Sequence, residues 1–173
     1  MIDSKLKEYF NKYSSILKRN DLDTFYQGLV EEGNLNVFRC TEFFMEHGVD
    51  VLANLRKAIP EYCFFRLSLP KTIKINDSVR SIDRCAFSKC SGVEEVVLPK
   101  SLENLDSGAF RSCPSLTKVI FQSTPKNLGA GIFSHCVLLK EVYVPWDEEH
   151  SFDGVRDIDC FDFSSDKTVI YYT

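Results

Sequence analysis

Long apolar runs are missing from this chain. None exceeds about five residues, against the roughly 18 that a membrane-spanning helix needs. The opening segment MIDSKLKEYFNKYSS mixes charged with apolar residues where a secretion signal would carry an apolar core. Both features predict an unsecreted protein with no membrane contact, placed in the cytoplasm. An excess of basic charge is also missing: 21 Lys and Arg against 25 Asp and Glu leave a net charge of -4, which argues against direct nucleic-acid binding. Seven cysteines occur, an odd number with no C-x-x-C pair. The nearest two, Cys85 and Cys90, have no His close by, so the pattern fits a reducing compartment and predicts no metal site. Catalytic signatures are absent as well. The three histidines, His47, His135 and His150, are scattered. There is no G-x-S-x-G, P-loop or H-E-x-x-H, and Gly129-Ala130-Gly131 is a lone G-x-G without the rest of a dinucleotide fingerprint. The expectation is a non-enzyme without a cofactor. What remains, 173 residues that are 44% hydrophobic and 27% charged, is enough to bury one core.

The organising feature is a repeat. Between positions 59 and 150 the chain falls into four units with a strict period of 23 and no insertion, beginning at Ile59, Ile82, Leu105 and Leu128. Each column keeps one chemical character. An aromatic column holds Phe64, Phe87, Phe110 and Phe133, and the column behind it holds Leu67, Cys90, Cys113 and Cys136. Further on come Ile73, Val96, Val119 and Val142, then Ile75, Leu98, Phe121 and Val144. A unit this short cannot close its own core but can stack on a copy of itself, which is the logic of a solenoid. The β-branched segments around residues 96–98, 119–121 and 142–144 would pair rung to rung as a parallel sheet. The Cys column reads as small buried packing residues, and His135 falls at a variable loop position.

The segments Ile59-Pro60-Glu61-Tyr62-Cys63-Phe64 and, at the next unit, Ile82 through Ala86-Phe87 to Val96-Val97-Leu98-Pro99 resemble the BspA-like, Treponema-type leucine-rich repeat. That resemblance implies a leucine-rich-repeat solenoid acting as a protein-binding scaffold. The family's Gly before the Ala-Phe pair survives at Gly129 and is replaced by Asp83 and Asp106. Its Pro after the strand survives at Pro99 and Pro145 and is replaced by Asn76 and Gln122. The ending Val144-Pro145-Trp146, followed by an acidic stretch and Val169-Ile170-Tyr171-Tyr172, is also similar to the closing segment of small repeat proteins carried by bacteriophages and prophages.

The ends lack the period. Residues 1–58 predict helices: one carrying Leu6, Tyr9, Phe10, Tyr13 and Leu17 on a single stripe, and a second from Asp21 through Phe25, Tyr26, Leu29 and Val30 to Gly33. A third would carry Val37, Cys40, Phe43 and Phe44 and end near Gly48. The fourth would run from Asp50 through Leu52, Leu55 and Ile59 to Pro60. The predicted fold is therefore α+β: an N-terminal helical cap (1–58), a short four-unit solenoid with a parallel sheet (59–150), and an acidic C-terminal cap ending in a strand (151–173). That last strand would extend the ladder by one rung.

Two candidate partner surfaces follow. Alternation turns 96 and 98 inward, so two outward columns line the sheet. One is Glu95, Lys118 and Glu141 after Thr72; the other is Lys74, Val97, Ile120 and Tyr143, with Trp146 just beyond. Exposed apolar and aromatic residues of this kind mark interaction surfaces, for a protein partner or equally for a homodimer. The second surface is acidic: Asp147, Glu148, Glu149, Asp153, Asp157, Asp159, Asp162 and Asp166 against the single base Arg156. Such a stretch suits competition for the basic groove of a nucleic-acid-binding protein. Combined with the phage-like ending, it predicts an anti-CRISPR-like inhibitor of a host defence protein in the bacterial cytoplasm. The alternative is a structural protein, either associated with a phage tail or virion or serving as a surface adhesin.

Overall fold

A computed structural model of the chain describes residue 8 and residues 22–31, 37–46, 48–146 and 168–173. Among the described residues from 22 on, three helices, α1 (Leu22–Glu31), α2 (Val37–Glu46) and α3 (Val51–Asn54), precede nine strands. The strands are β1 (Ala58–Ile59), β2 (Thr72–Lys74), β3 (Ser81–Ile82), β4 (Glu95–Leu98), β5 (Asn104–Leu105), β6 (Lys118–Phe121), β7 (Asn127–Leu128), β8 (Glu141–Val144) and β9 (Val169–Tyr172). They form two parallel sheets, one in the order β1-β3-β5-β7 and the other β2-β4-β6-β8-β9. The predicted solenoid is present, with a second, narrow sheet built around the start of each unit.

The register follows the sequence period. Thr72 pairs with Glu95, Glu95 with Lys118, and Lys118 with Glu141, each one full period from the last. The final rung differs: Glu141 pairs with Val169, so the step to β9 is longer than the period. The inward columns close a continuous core in which Ile73, Val96, Val119 and Val142 are buried together with Ile75, Leu98, Phe121 and Val144. Phe64, Phe87 and Phe110 stack with ring centroids 4.9 and 4.8 Å apart and planes within 5° of parallel. Cys90, Cys113 and Cys136 are buried, and each thiol donates to a carbonyl of the preceding rung: Phe64 at 2.9 Å, Phe87 at 3.1 Å and Phe110 at 3.0 Å. Burial pushes the Cys90 thiol up, away from thiolate reactivity.

A third ladder, made of turn backbone, also joins the rungs. Phe64 N–H donates to Ala86 O at 2.8 Å, Arg66 N–H to Ser88 O at 3.0 Å and Lys89 N–H to Arg111 O at 2.8 Å, and the pattern recurs up the coil. The turns that aim these amides need left-handed backbone. Tyr62, Arg66, Cys85, Lys89, Ser112 and His135 all hold φ between 54° and 64° although none is glycine. Each costs about 1 kcal/mol that the ladder must offset.

The helical region docks on the first rung. Phe25, Tyr26, Leu29, Cys40 and Phe44 join the same core as Ile59, Cys63 and Phe64. Tyr26 and Thr41 share a buried hydrogen bond of 2.5 Å, and Thr41 Oγ1 lies 3.3 Å from Cys63 Sγ. Burial pushes the Cys63 thiol up to about 12. Helices α1 and α2 match the second and third predicted helices, whereas the first lies outside the described residues apart from helical Glu8. The fourth predicted helix is corrected: α3 is one turn, capped by Asp50 accepting from Ala53 N–H at 3.0 Å, and it stops at Asn54 instead of running to Pro60. Its exit has a physical cause. The Asp23 carboxylate on α1 accepts from Arg56 N–H at 3.2 Å and Lys57 N–H at 3.1 Å, which draws the chain out of the helix and into β1. Asp23→Ala should therefore lower stability by about 1–2 kcal/mol. Denaturant unfolding reads this, and an unchanged midpoint would leave apolar packing alone to hold the junction.

Candidate functional site

The outward face of the larger sheet carries two side-chain columns because strands β4, β6 and β8 alternate half-buried and buried residues along their length. The first column runs Thr72, Glu95, Lys118, Glu141 and Val169. The second runs Lys74, Val97, Ile120, Tyr143 and Tyr171. Lys74 is exposed, and Val97, Ile120 and Tyr143 are half-buried. At the last rungs Tyr143 and Tyr171 stack, with ring centroids 4.7 Å apart and planes 14° from parallel.

Polar groups fix this aromatic pair. Lys118 Nζ sits 5.1 Å from the Tyr143 ring centroid and 3.7 Å from Glu95 Oε2. The Tyr143 hydroxyl donates to Glu141 Oε2 at 3.4 Å. The first column thus acts as a charged rail beside the apolar one, contacting Tyr143 at its ring through Lys118 and at its hydroxyl through Glu141. Desolvation, with help from Glu141, raises the Tyr143 pKa, so its hydroxyl stays protonated and able to donate.

Two residues change their expected places. Trp146 leaves the stripe: its ring stands edge-on to Phe121 at 5.2 Å and packs against the core. Trp146 lies in the bend just after β8, which ends at the inward-facing Val144. Tyr171 takes its place on the face. The longer last step hides it from the repeat pattern, and the signal that could have found it is the Val-Ile-Tyr-Tyr strand itself. Val169 and Tyr171 are 49% and 39% exposed, so β9 widens this face and does not cover it. The acidic residues from Asp147 to Asp166 lie outside the described residues.

No helix among the described residues is long and apolar enough to cross a membrane. No group of three or more His, Cys, Asp and Glu among them is arranged to hold a metal ion. His135 is exposed in its turn while Cys136 beside it is buried, so the two side chains serve different environments.

No curated protein and no solved structure matches the chain. A family model does: the BspA type leucine-rich repeat region, six copies, matches residues 57–173, more than half of the chain. Repeats of this class generally mediate contacts between proteins. With that span matched and its rungs stacked in a parallel solenoid, the chain belongs to the BspA-type leucine-rich repeat family.

Proposed function

We propose that this protein is a binding scaffold that engages a protein partner through the outward face of its larger sheet. The observation that carries the reading is the stacked Tyr143–Tyr171 pair at the end of the Val97 and Ile120 column, half-exposed and held beside a charged rail. Tyrosine offers large contact area at low entropy cost and dominates many interfaces. Lys74, Glu95, Lys118 and Glu141 would set orientation at the rim, where charges tune encounter more than affinity.

The finer reading is an inhibitor that occludes a basic, nucleic-acid-binding host protein in the cytoplasm. Its support is the sequence between residues 147 and 166, where eight acidic residues stand against one base. Opposite charge would speed encounter and make the complex salt-sensitive.

The test has two arms. The intact protein captures its partner from bacterial lysate, and calorimetry then compares wild type with Tyr143→Ala and Tyr171→Ala, each checked for a native melting curve. Each truncation should cost about 2 kcal/mol of binding. Wild-type affinity in both variants would remove the partner from this face. Repeating the titration across salt concentrations tests the inhibitor reading, which a salt-independent affinity would end.

A further inference from the structure

A second surface lies away from the sheet face, where α2 meets the first two turns. Phe65 is its floor. Phe38 from α2 stands edge-on to Phe65 at 6.2 Å, and Tyr62 does so at 5.3 Å. Cations gather on these rings: Arg39 Cζ lies 5.1 Å from the Phe38 centroid, and Arg66 Cζ and Lys89 Nζ each lie 5.8 Å from the Phe65 centroid. Arg111 follows one rung further along, its carbonyl accepting from Lys89 N–H at 2.8 Å.

The charges are unbalanced. Among the described residues Arg39 is paired with Glu42 at 2.9 Å and Arg84 with Glu61 at 3.7 Å, but Arg66, Lys89 and Arg111 make no ion pair. Elsewhere on the coil some cations face carboxylates of the adjoining rung, as Lys71 faces Glu94 and both Arg80 and Lys126 face Glu103, while exposed Lys74, Lys100 and Lys140 make no ion pair among the described residues. What sets the corner apart is that two unpaired cations, Arg66 and Lys89, lie over one ring, Phe65. Arg66 and Lys89 also hold left-handed backbone at φ 64° and 61°, in the turn ladder that fixes their spacing to one rung.

We propose that this basic, aromatic-floored corner binds an acidic peptide segment of a partner protein. Carboxylates would accept from Arg66, Lys89 and Arg111, and the rings beneath reduce the water that screens those contacts. A short acidic segment fits better than a nucleic acid. A long polyanion must also meet a chain whose net charge is -4, whereas a short peptide can end within the patch. The inference is independent of the sheet face, because the corner residues lie in turns and a helix and share no column with Tyr143.

The test is a fluorescence-anisotropy titration of the full chain with a labelled peptide of alternating Glu and Tyr at low salt, beside a labelled oligothymidylate. Arg66→Glu combined with Lys89→Glu should weaken peptide binding by about tenfold or more. Lys100→Glu combined with Lys140→Glu makes the same charge change on other exposed lysines and should leave it within about twofold. Arg66→Lys with Lys89→Arg should keep binding, which separates lost charge from lost fold, and so should Tyr143→Ala. The proposal is overturned by no binding to wild type, by an equal loss in both charge-reversed variants, or by an oligothymidylate that binds through Arg66 and Lys89 more tightly than the peptide.

Discussion

Phe87→Ala is expected to lower the unfolding free energy by about 4 kcal/mol, the range for deleting a fully buried aromatic ring. Phe87 is 0% exposed and touches both neighbours of its stack, Phe64 at 4.9 Å and Phe110 at 4.8 Å, with planes 5° and 4° from parallel. Those rings are clamped by the turn ladder: Phe64 N–H donates to Ala86 O at 2.8 Å and Phe87 N–H to Ala109 O at 2.7 Å. The rungs therefore cannot slide together to fill the gap, and the cavity term adds to the lost burial. Position matters too. A solenoid is coupled rung to rung, so damage in a middle rung weakens two interfaces at once. Urea unfolding should show a lower midpoint and a shallower slope as the two halves lose cooperativity. A loss under about 1 kcal/mol would mean that the rungs relax to fill the gap, contrary to the clamping by the turn ladder.

Gly129→Ala is the second large effect, expected at about 3 kcal/mol. An added Cβ would lie 2.7 Å from the Asp106 carbonyl carbon and the Ser107 Cα, and closer still to Ser107 N. All three are main-chain atoms, so no side-chain rotation relieves the clash. The backbone cannot move freely either, because Gly129 N–H donates to Leu105 O at 2.8 Å in the narrow sheet's ladder. Gly48→Ala supplies the contrast. No atom stands within 4 Å of its added Cβ, and with φ at 77° it should cost only the left-handed strain of about 1 kcal/mol. Equal melting temperatures for the two variants would contradict the close rung contact at Gly129.

These two positions differ in how far they can be read in advance. The Phe column is visible because a stack repeats its environment: residues one period apart meet the same neighbours and so share a chemical character. Gly129 belongs to a column otherwise filled by Pro60, Asp83 and Asp106, and only the approach of one backbone to the next shows why a side chain is excluded there. Helix α3 misleads in the same way. Its apolar spacing continues to Ile59, yet Asp23, far upstream in the chain, takes the amides of Arg56 and Lys57 and ends it.

The sequence by itself determined the period, the parallel in-register sheet, the buried Phe and Cys columns, and the two columns that face outward. Each follows from local alternation or from a spacing that recurs, and both are properties of the chain read along its length. Tertiary structure decided what depends on residues far apart in that order. It added Tyr171 to the face across the longer last step, turned Trp146 onto Phe121, brought Phe38 of a helix against Phe65 of the turns, and set Lys89 of the next rung over that same Phe65 ring. The left-handed turns at Arg66 and Lys89 left no trace in composition, because neither is glycine. Their conformation is held by hydrogen bonds to the next rung, which exist only once the coil has stacked.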